Sequence, residues 1–230
     1  MWTRKVIALA ATTVLAGTLT ACGDNSSGSE DKVDTSDGKP AKADPATEKL
    51  RGALLTVKDL PAGFAADDQG SNAKRGASAC AKALDAFGAP VGPSGGKGGS
   101  PKAAQLVARF AKGDLGPHIE QVIHRLPEKD AAANLGRTKD ALAKCTSWQE
   151  RSAAGVVTKA SLTMAHSAGN DVVSARLLET TGAETVVTDL IALRVHGVVC
   201  VLRATAAKAL DDKLVMDVTK TVAERLRDNA

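Results

Sequence analysis

The run "ETVVTDLIALRVHGVVCVLRAT" (184–205) constrains the fold more than any other stretch of the chain. Two Val- and Leu-rich segments meet at His196-Gly197, where a two-residue turn makes a β-hairpin. With that turn the register can be followed outward. Val195 faces Val198, Leu193 faces Cys200 and Ile191 faces Leu202 on one side of the ribbon. The other side carries Leu190, Ala192, Arg194, Val199, Val201 and Arg203. The first side is wholly apolar and must be covered; the second is apolar with charged edges. A lone hairpin is marginal in water, so this ribbon requires further strands and a cover.

Both are legible. "QLVARFAK", "IEQVIHRL", "GVVTKASLTMA" and "DVVSARLLET" read as additional strands. Three segments have helical periodicity instead. In "SACAKALDAFG", Cys80, Leu84 and Phe87 share a face; in "PEKDAAANLGRTKDALAKC", Ala131, Leu135, Thr138, Leu142 and Cys145 do, with Pro127 opening the helix. In "KALDDKLVMDVTKTVAERLRDN" the stripe is Leu210, Leu214, Val218, Val222 and Leu226. The expected fold is α+β, a single domain with an antiparallel β-sheet and helices packed on one face.

The N-terminal end is different in kind. Trp2-Thr3-Arg4-Lys5 is a short basic start, and Val6 to Thr20 is uncharged and mostly apolar. A helix crossing the hydrocarbon core needs about 20 apolar residues, so this stretch reads as an export signal rather than a span. Its end, Leu19-Thr20-Ala21-Cys22, resembles the lipobox of bacterial lipoproteins. The resemblance implies cleavage before Cys22 and lipid on that residue, an attachment strong enough to hold the chain at the outer face of the membrane. Gly23 to Ala46 is Asp, Ser, Lys, Gly and Pro with almost no apolar content, and reads as a disordered tether. Treated as a flexible coil of about 24 residues, it spans about 27 Å. The organisation is therefore a signal peptide (1–21), a lipidated cysteine and tether (22–46) and one α+β domain (47–230). A flexible surface loop, "APVGPSGGKGGSP" (89–101), interrupts the domain.

The formal net charge is +4, and cleavage would remove Arg4 and Lys5 from it. With no basic block in the rest of the chain, a nucleic-acid partner is not expected. The three cysteines beyond Cys22 are an odd number for an oxidising compartment. Cys80 and Cys145 both lie on inward helical stripes, so a bridge between them, with Cys200 free in the strand core, is favoured over other pairings. Such a bridge closes a loop of about 66 residues and is worth about 4 kcal/mol.

Taken together, "LLTVKDLPAGF" (54–64), Cys80 on a helix, "ALAKCTSWQE" (141–150) closing another and the paired Val-rich strands resemble a known group. These are the actinobacterial extracytoplasmic sensor-like domains, found fused to a mycobacterial membrane serine/threonine kinase and as stand-alone lipoproteins. The similarity spans about residues 50–228. It implies a helix-and-sheet domain with a groove for a ligand, held in the kinase version by two disulfides. Cys80 and Cys145 match the outer bridge; the inner one has no counterpart here.

Chemistry is harder to find. No H-E-x-x-H, P-loop or G-x-G-x-x-G pattern is present, and His118, His124, His166 and His196 lack ligand-like spacing. No enzyme activity, metal or cofactor is expected. Trp148 reads as a core plug. Nearly every strand carries one arginine in an apolar run: Arg109, Arg125, Arg176, Arg194 and Arg203. Ordinary wet-face polarity explains that pattern. If Arg109, Arg176, Arg194 and Arg203 share the face opposite the helices, they would instead form a ligand surface for carboxylates or phosphates. The expected function is a non-catalytic, membrane-anchored module binding an envelope ligand or a membrane protein partner. The alternative is a lipid or glycolipid carrier, which requires a large apolar cavity.

Overall fold

A computed structural model describes residues 45–68, 76–87, 105–113, 116–165 and 171–230. The expected signal peptide, Cys22, the tether as far as residue 44, the loop at 89–101 and His166 lie outside these residues. Helix α1 (Pro45–Arg51) opens with proline in its first turn, two residues inside the stretch read as tether, and buries Leu50. The chain then runs through a 3₁₀ turn (Val57–Asp59), β1 (Ala65–Ala66), α2 (Ala79–Asp85), β2 (Gln105–Ala111), β3 (His118–Arg125) and α3 (Glu128–Ala143). After these come β4 (Ser147–Arg151), β5 (Val157–Met164), β6 (Val172–Thr181), β7 (Glu184–Val195), β8 (Val198–Ala207) and α4 (Asp212–Asn229).

The eight strands form one antiparallel sheet in the order β1-β2-β3-β8-β7-β6-β5-β4. The β7–β8 register is the expected one: Val195 faces Val198, Leu193 faces Cys200 and Ile191 faces Leu202. The expected α+β class and antiparallel sheet are thus present. Strand β4 is additional to the strands expected. The helical stripe read as far as Cys145 ends as α3 at Ala143, and residues 147–151, not read as a strand, pair with β5.

The helices cover both faces of the sheet, whereas the sequence pattern pointed to one. On the first face Ile119, Ile123, Cys200, Leu202, Ile191 and Leu193 pack beneath Leu214, Val218, Val222 and Leu226 of α4 and Leu50 of α1. On the second face Val122, Val201, Leu190, Ala192, Val173 and Ala175 lie beneath Leu84 of α2 and Leu135 and Leu142 of α3. The physical reason lies in the central strands. Leu190, Val199 and Leu202 have essentially no exposure, so side chains on both faces of β7 and β8 are removed from water. At about 25 cal/mol per Å² of apolar surface, leaving either face wet would be costly.

Three connections hold the covering layers. Gln121, fully buried on the first face, accepts from the Leu55 amide at 2.7 Å and donates to the Ala53 carbonyl at 3.0 Å, fastening the segment after α1 to the sheet. Arg225 of α4 donates to the Leu54 carbonyl and to Asp59 at 2.9 and 2.6 Å. On the other side of the sheet, Cys80 and Cys145 form a disulfide that ties α2 to the residues just after α3. Cys200 is a free thiol on the first face, and burial pushes it up to about 12.

At the β7–β8 turn His196 adopts φ 51°. Gly197 accepts a hydrogen bond from the Leu126 amide at 2.7 Å, and a methyl group on it would stand 2.4 Å from the Leu126 carbonyl oxygen. No side chain fits there without moving backbone. Gly197→Ala is therefore expected to lower the stability of the oxidised protein by about 2 kcal/mol in urea unfolding, within the range for overpacked sites. An unchanged midpoint would show that the two backbones separate freely.

Candidate functional site

The arginines are the first candidates, and the structure divides them. Register places Arg109, Arg194 and Arg203 on the second face and Arg176 on the first. They do not form the common surface that the sequence allowed. Arg109 and Arg203 stand on either side of Glu120, with Arg109 Nε 2.7 Å and Arg203 Nη1 3.3 Å from its two carboxylate oxygens. Arg203 also donates to the Leu84 and Phe87 carbonyls at the C-terminal end of α2. Arg176 grips Asp189 through two bonds of 2.7 Å and reaches Asp212 at the start of α4. Arg125 is exposed at the end of β3.

These pairings have a common cause. A cation half-withdrawn from water needs a counter-charge or its burial is unfavourable. Arg109, Arg176 and Arg203 meet that need with carboxylates from neighbouring strands and with helix ends. Their visible work is structural.

Arg194 is placed differently. It lies at the end of β7, with a side-chain exposure of 20%, and both Nε and Nη2 donate to Asp171. Nη1 makes a long 3.4 Å contact with the His196 carbonyl. Beside it α3 and β6 leave a partly open groove of about 370 Å³, lined by Ala132, Leu135, Gly136, Lys139, Val172, Val173 and Arg194. Lys139 is exposed and has no ion-pair partner among the described residues. Its walls are therefore aliphatic and two cations stand among them.

Gly136 has no evident structural reason to be glycine. It lies in the interior of α3, and a methyl group there would meet no atom within 4 Å. Glycine in a helix interior costs about 1 kcal/mol relative to alanine. The residue is exposed and lines the groove. Neither Gly136 nor Lys139 stood out in the sequence. A glycine inside a helical pattern was the available signal, since it lowers helix stability relative to alanine.

The histidines are dispersed. His118 Nδ1 lies 3.9 Å from Asp67 at the surface, and His196 occupies the β7–β8 turn. His124 is buried on the second face, 3% exposed, and its Nδ1 has no hydrogen-bond partner. Among the described residues no three His, Cys, Asp or Glu side chains gather as metal ligands. Trp148 is half-buried against the α2–α3 cluster.

No family model matches the chain, and no curated protein matches it. Among solved structures it is similar to the extracellular domain of PknH from Mycobacterium tuberculosis, at 14% identity over 54% of this chain and 64% of that one, with a TM-score of 0.44. It is also similar to a protein from Bacteroides thetaiotaomicron, at 9% identity over 69% and 40% of the two chains and a TM-score of 0.31. The Saccharomyces cerevisiae Ran-binding protein Mog1p is similar at 10% identity over 58% and 79%, with a TM-score of 0.26. The chain spans less than two thirds of the PknH domain, and likeness of this degree carries no conclusion about ligands.

Two outcomes are expected. Gly136→Ala should raise stability by about 1 kcal/mol in urea unfolding, because it improves the helix and disturbs nothing; a loss would reveal a packing role. Burial holds the His124 imidazole below its ordinary value of 6.5. The unfolded chain takes up a proton near 6.5 while the folded one does not, so its contribution is complete above that pH. It is lost as pH falls from there through the folded-state value. Comparing wild type with His124→Gln from pH 7.5 to pH 4.5 should show the steeper acid loss in wild type. Parallel curves would mean that His124 protonates without cost.

Proposed function

We propose that this protein is an extracytoplasmic module, held at the outer face of the membrane through Cys22, that binds a ligand or partner without transforming it. The observation that carries the binding reading is the groove beside α3, where aliphatic walls, an unpaired Lys139 and a fixed Arg194 converge. The helix-interior Gly136, unexplained by packing, supports it from a second direction.

Export is supported by the Cys80–Cys145 disulfide, because such bonds persist in oxidising compartments. That agrees with the lipobox-like Leu19–Cys22 and its basic, then apolar, approach. A lipid or glycolipid carrier would need a large apolar cavity. The groove is partly open and carries two cations among its lining, which suits a binding module.

The test is native mass spectrometry of the protein taken gently from its own host's membranes, with thiol alkylation under denaturing conditions. Three results are expected: lipid on Cys22, a single alkylated cysteine (Cys200) and a non-covalent mass of small-molecule or protein size. Cys22→Ala should move the protein out of the membrane fraction. A chain that keeps residues 1–21, carries no lipid and labels on every cysteine would sink the extracytoplasmic reading.

A further inference from the structure

We infer that the groove between α3 and β6 is a site for a monocarboxylate carried on a short aliphatic group. The inference rests on the binding-module reading and adds the ligand's chemistry. Neither the resemblance to sensor-like domains nor the structural likenesses specify that chemistry.

The argument begins with charge. Of the side chains lining the groove, two are ionised, Lys139 and Arg194. Asp171 already neutralises Arg194, through both Nε and Nη2. One positive charge remains, on Lys139, with no carboxylate against it among the described residues. A ligand carrying one negative charge balances the site, whereas a phosphate dianion would leave an excess.

Geometry narrows it further. Asp171 fixes the guanidinium in place, so its cost of ordering is met before any ligand arrives. The free edge is that of Nη1, whose present bond to the His196 carbonyl is long at 3.4 Å. One edge can serve one or two oxygens of a planar carboxylate, and Lys139, which lines the same groove, adds a flexible point charge. The cations therefore define an acid end.

The rest of the groove is chemically distinct from that end. Ala132, Leu135, Val172 and Val173 present methyl and methylene groups, with no aromatic face and no further hydrogen-bonding side chain. Those walls offer apolar contact to an aliphatic group, with Leu135 and Val173 already withdrawn from water, and nothing specific to a sugar or a base. A space of about 370 Å³ holds a group of a few carbons. Gly136 then acquires a role, since it lines the groove and a larger side chain there has open space in which to occupy it.

This acid can come from two sources, the free C-terminus of a peptide ending in small apolar residues or a short-chain fatty acid. Isothermal titration of the full chain, with the Cys80–Cys145 bond intact, distinguishes them. The probes are N-acetyl-alanyl-alanine, its C-terminal amide and isovalerate. We expect at least one acid to bind at millimolar concentration and the amide to bind at least tenfold more weakly than the peptide acid, if that acid is the one bound. Preference for the peptide acid assigns a peptide end; preference for isovalerate assigns a free acid.

Lys139→Gln should weaken the bound acid about tenfold. Gly136→Leu should abolish binding while thermal unfolding stays unchanged or rises, which separates filling the groove from misfolding. The inference is overturned if neither acid binds, if acid and amide bind alike, or if Gly136→Leu binds as well as wild type. A host-derived molecule that remains on Gly136→Leu in native mass spectrometry would remove this groove but leave the binding-module reading intact.

Discussion

The β7–β8 ribbon is withdrawn from water on both of its faces, and the rest of the domain is arranged around that requirement. Ile191, Leu193, Cys200 and Leu202 need one cover and Leu190, Ala192, Val199 and Val201 need another. Helix α4 and the α1 segment supply the first, and α2 and α3 supply the second. Each cover then needs its own attachment. Gln121 and Arg225 fasten the α1 segment, and the Cys80–Cys145 bond fastens the seven-residue α2, together with the Arg203 contacts at its end and the buried Leu84. The site follows from the same constraint: α3 can only create a groove beside β6 because it is held down over the centre of the sheet.

Charge inside such a sheet has to be matched locally. Glu120 stands between Arg109 and Arg203, Asp189 and Asp212 meet Arg176, and Asp171 meets Arg194. Two of these sets join strands to one another or to helix ends. The third faces a groove, and there a second cation, Lys139, remains unmatched among the described residues. An arginine in an apolar strand is thus weak evidence of ligand binding, and an unmatched cation beside a fixed one is better evidence.

Much of the fold was legible where the interaction is local in sequence. The hairpin register follows from a two-residue turn and strand alternation, and it holds through Leu202. The pairing of Cys80 with Cys145 followed from two helical stripes that each faced inward. The cover on the second face was not legible, because Arg194 and Arg203 make that side of the ribbon read as wet. Their partners, Asp171 and Glu120, lie 23 and 83 residues away, and no local pattern links them. Strand β4 was not legible because Ser147–Arg151 carries a single large apolar residue, Trp148; its exposure alternates residue by residue, which only the pairing with β5 reveals. The groove joins α3 to residues more than 30 positions further along, so only the folded chain brings Gly136 and Lys139 to Arg194.

A groove whose walls are an anchored helix and a doubly covered sheet is preformed, and a ligand need not order it. Native-state amide hydrogen exchange on the oxidised protein tests that claim most directly. The account predicts that the amides of Leu135 to Lys139, Val172, Val173 and Arg194 exchange only through global unfolding, with the same free energy as those of β7 and β8. Exchange of α3 through a low-energy local opening, while β7 and β8 stay protected, would contradict it. The groove would then be a transient feature of a loosely held helix.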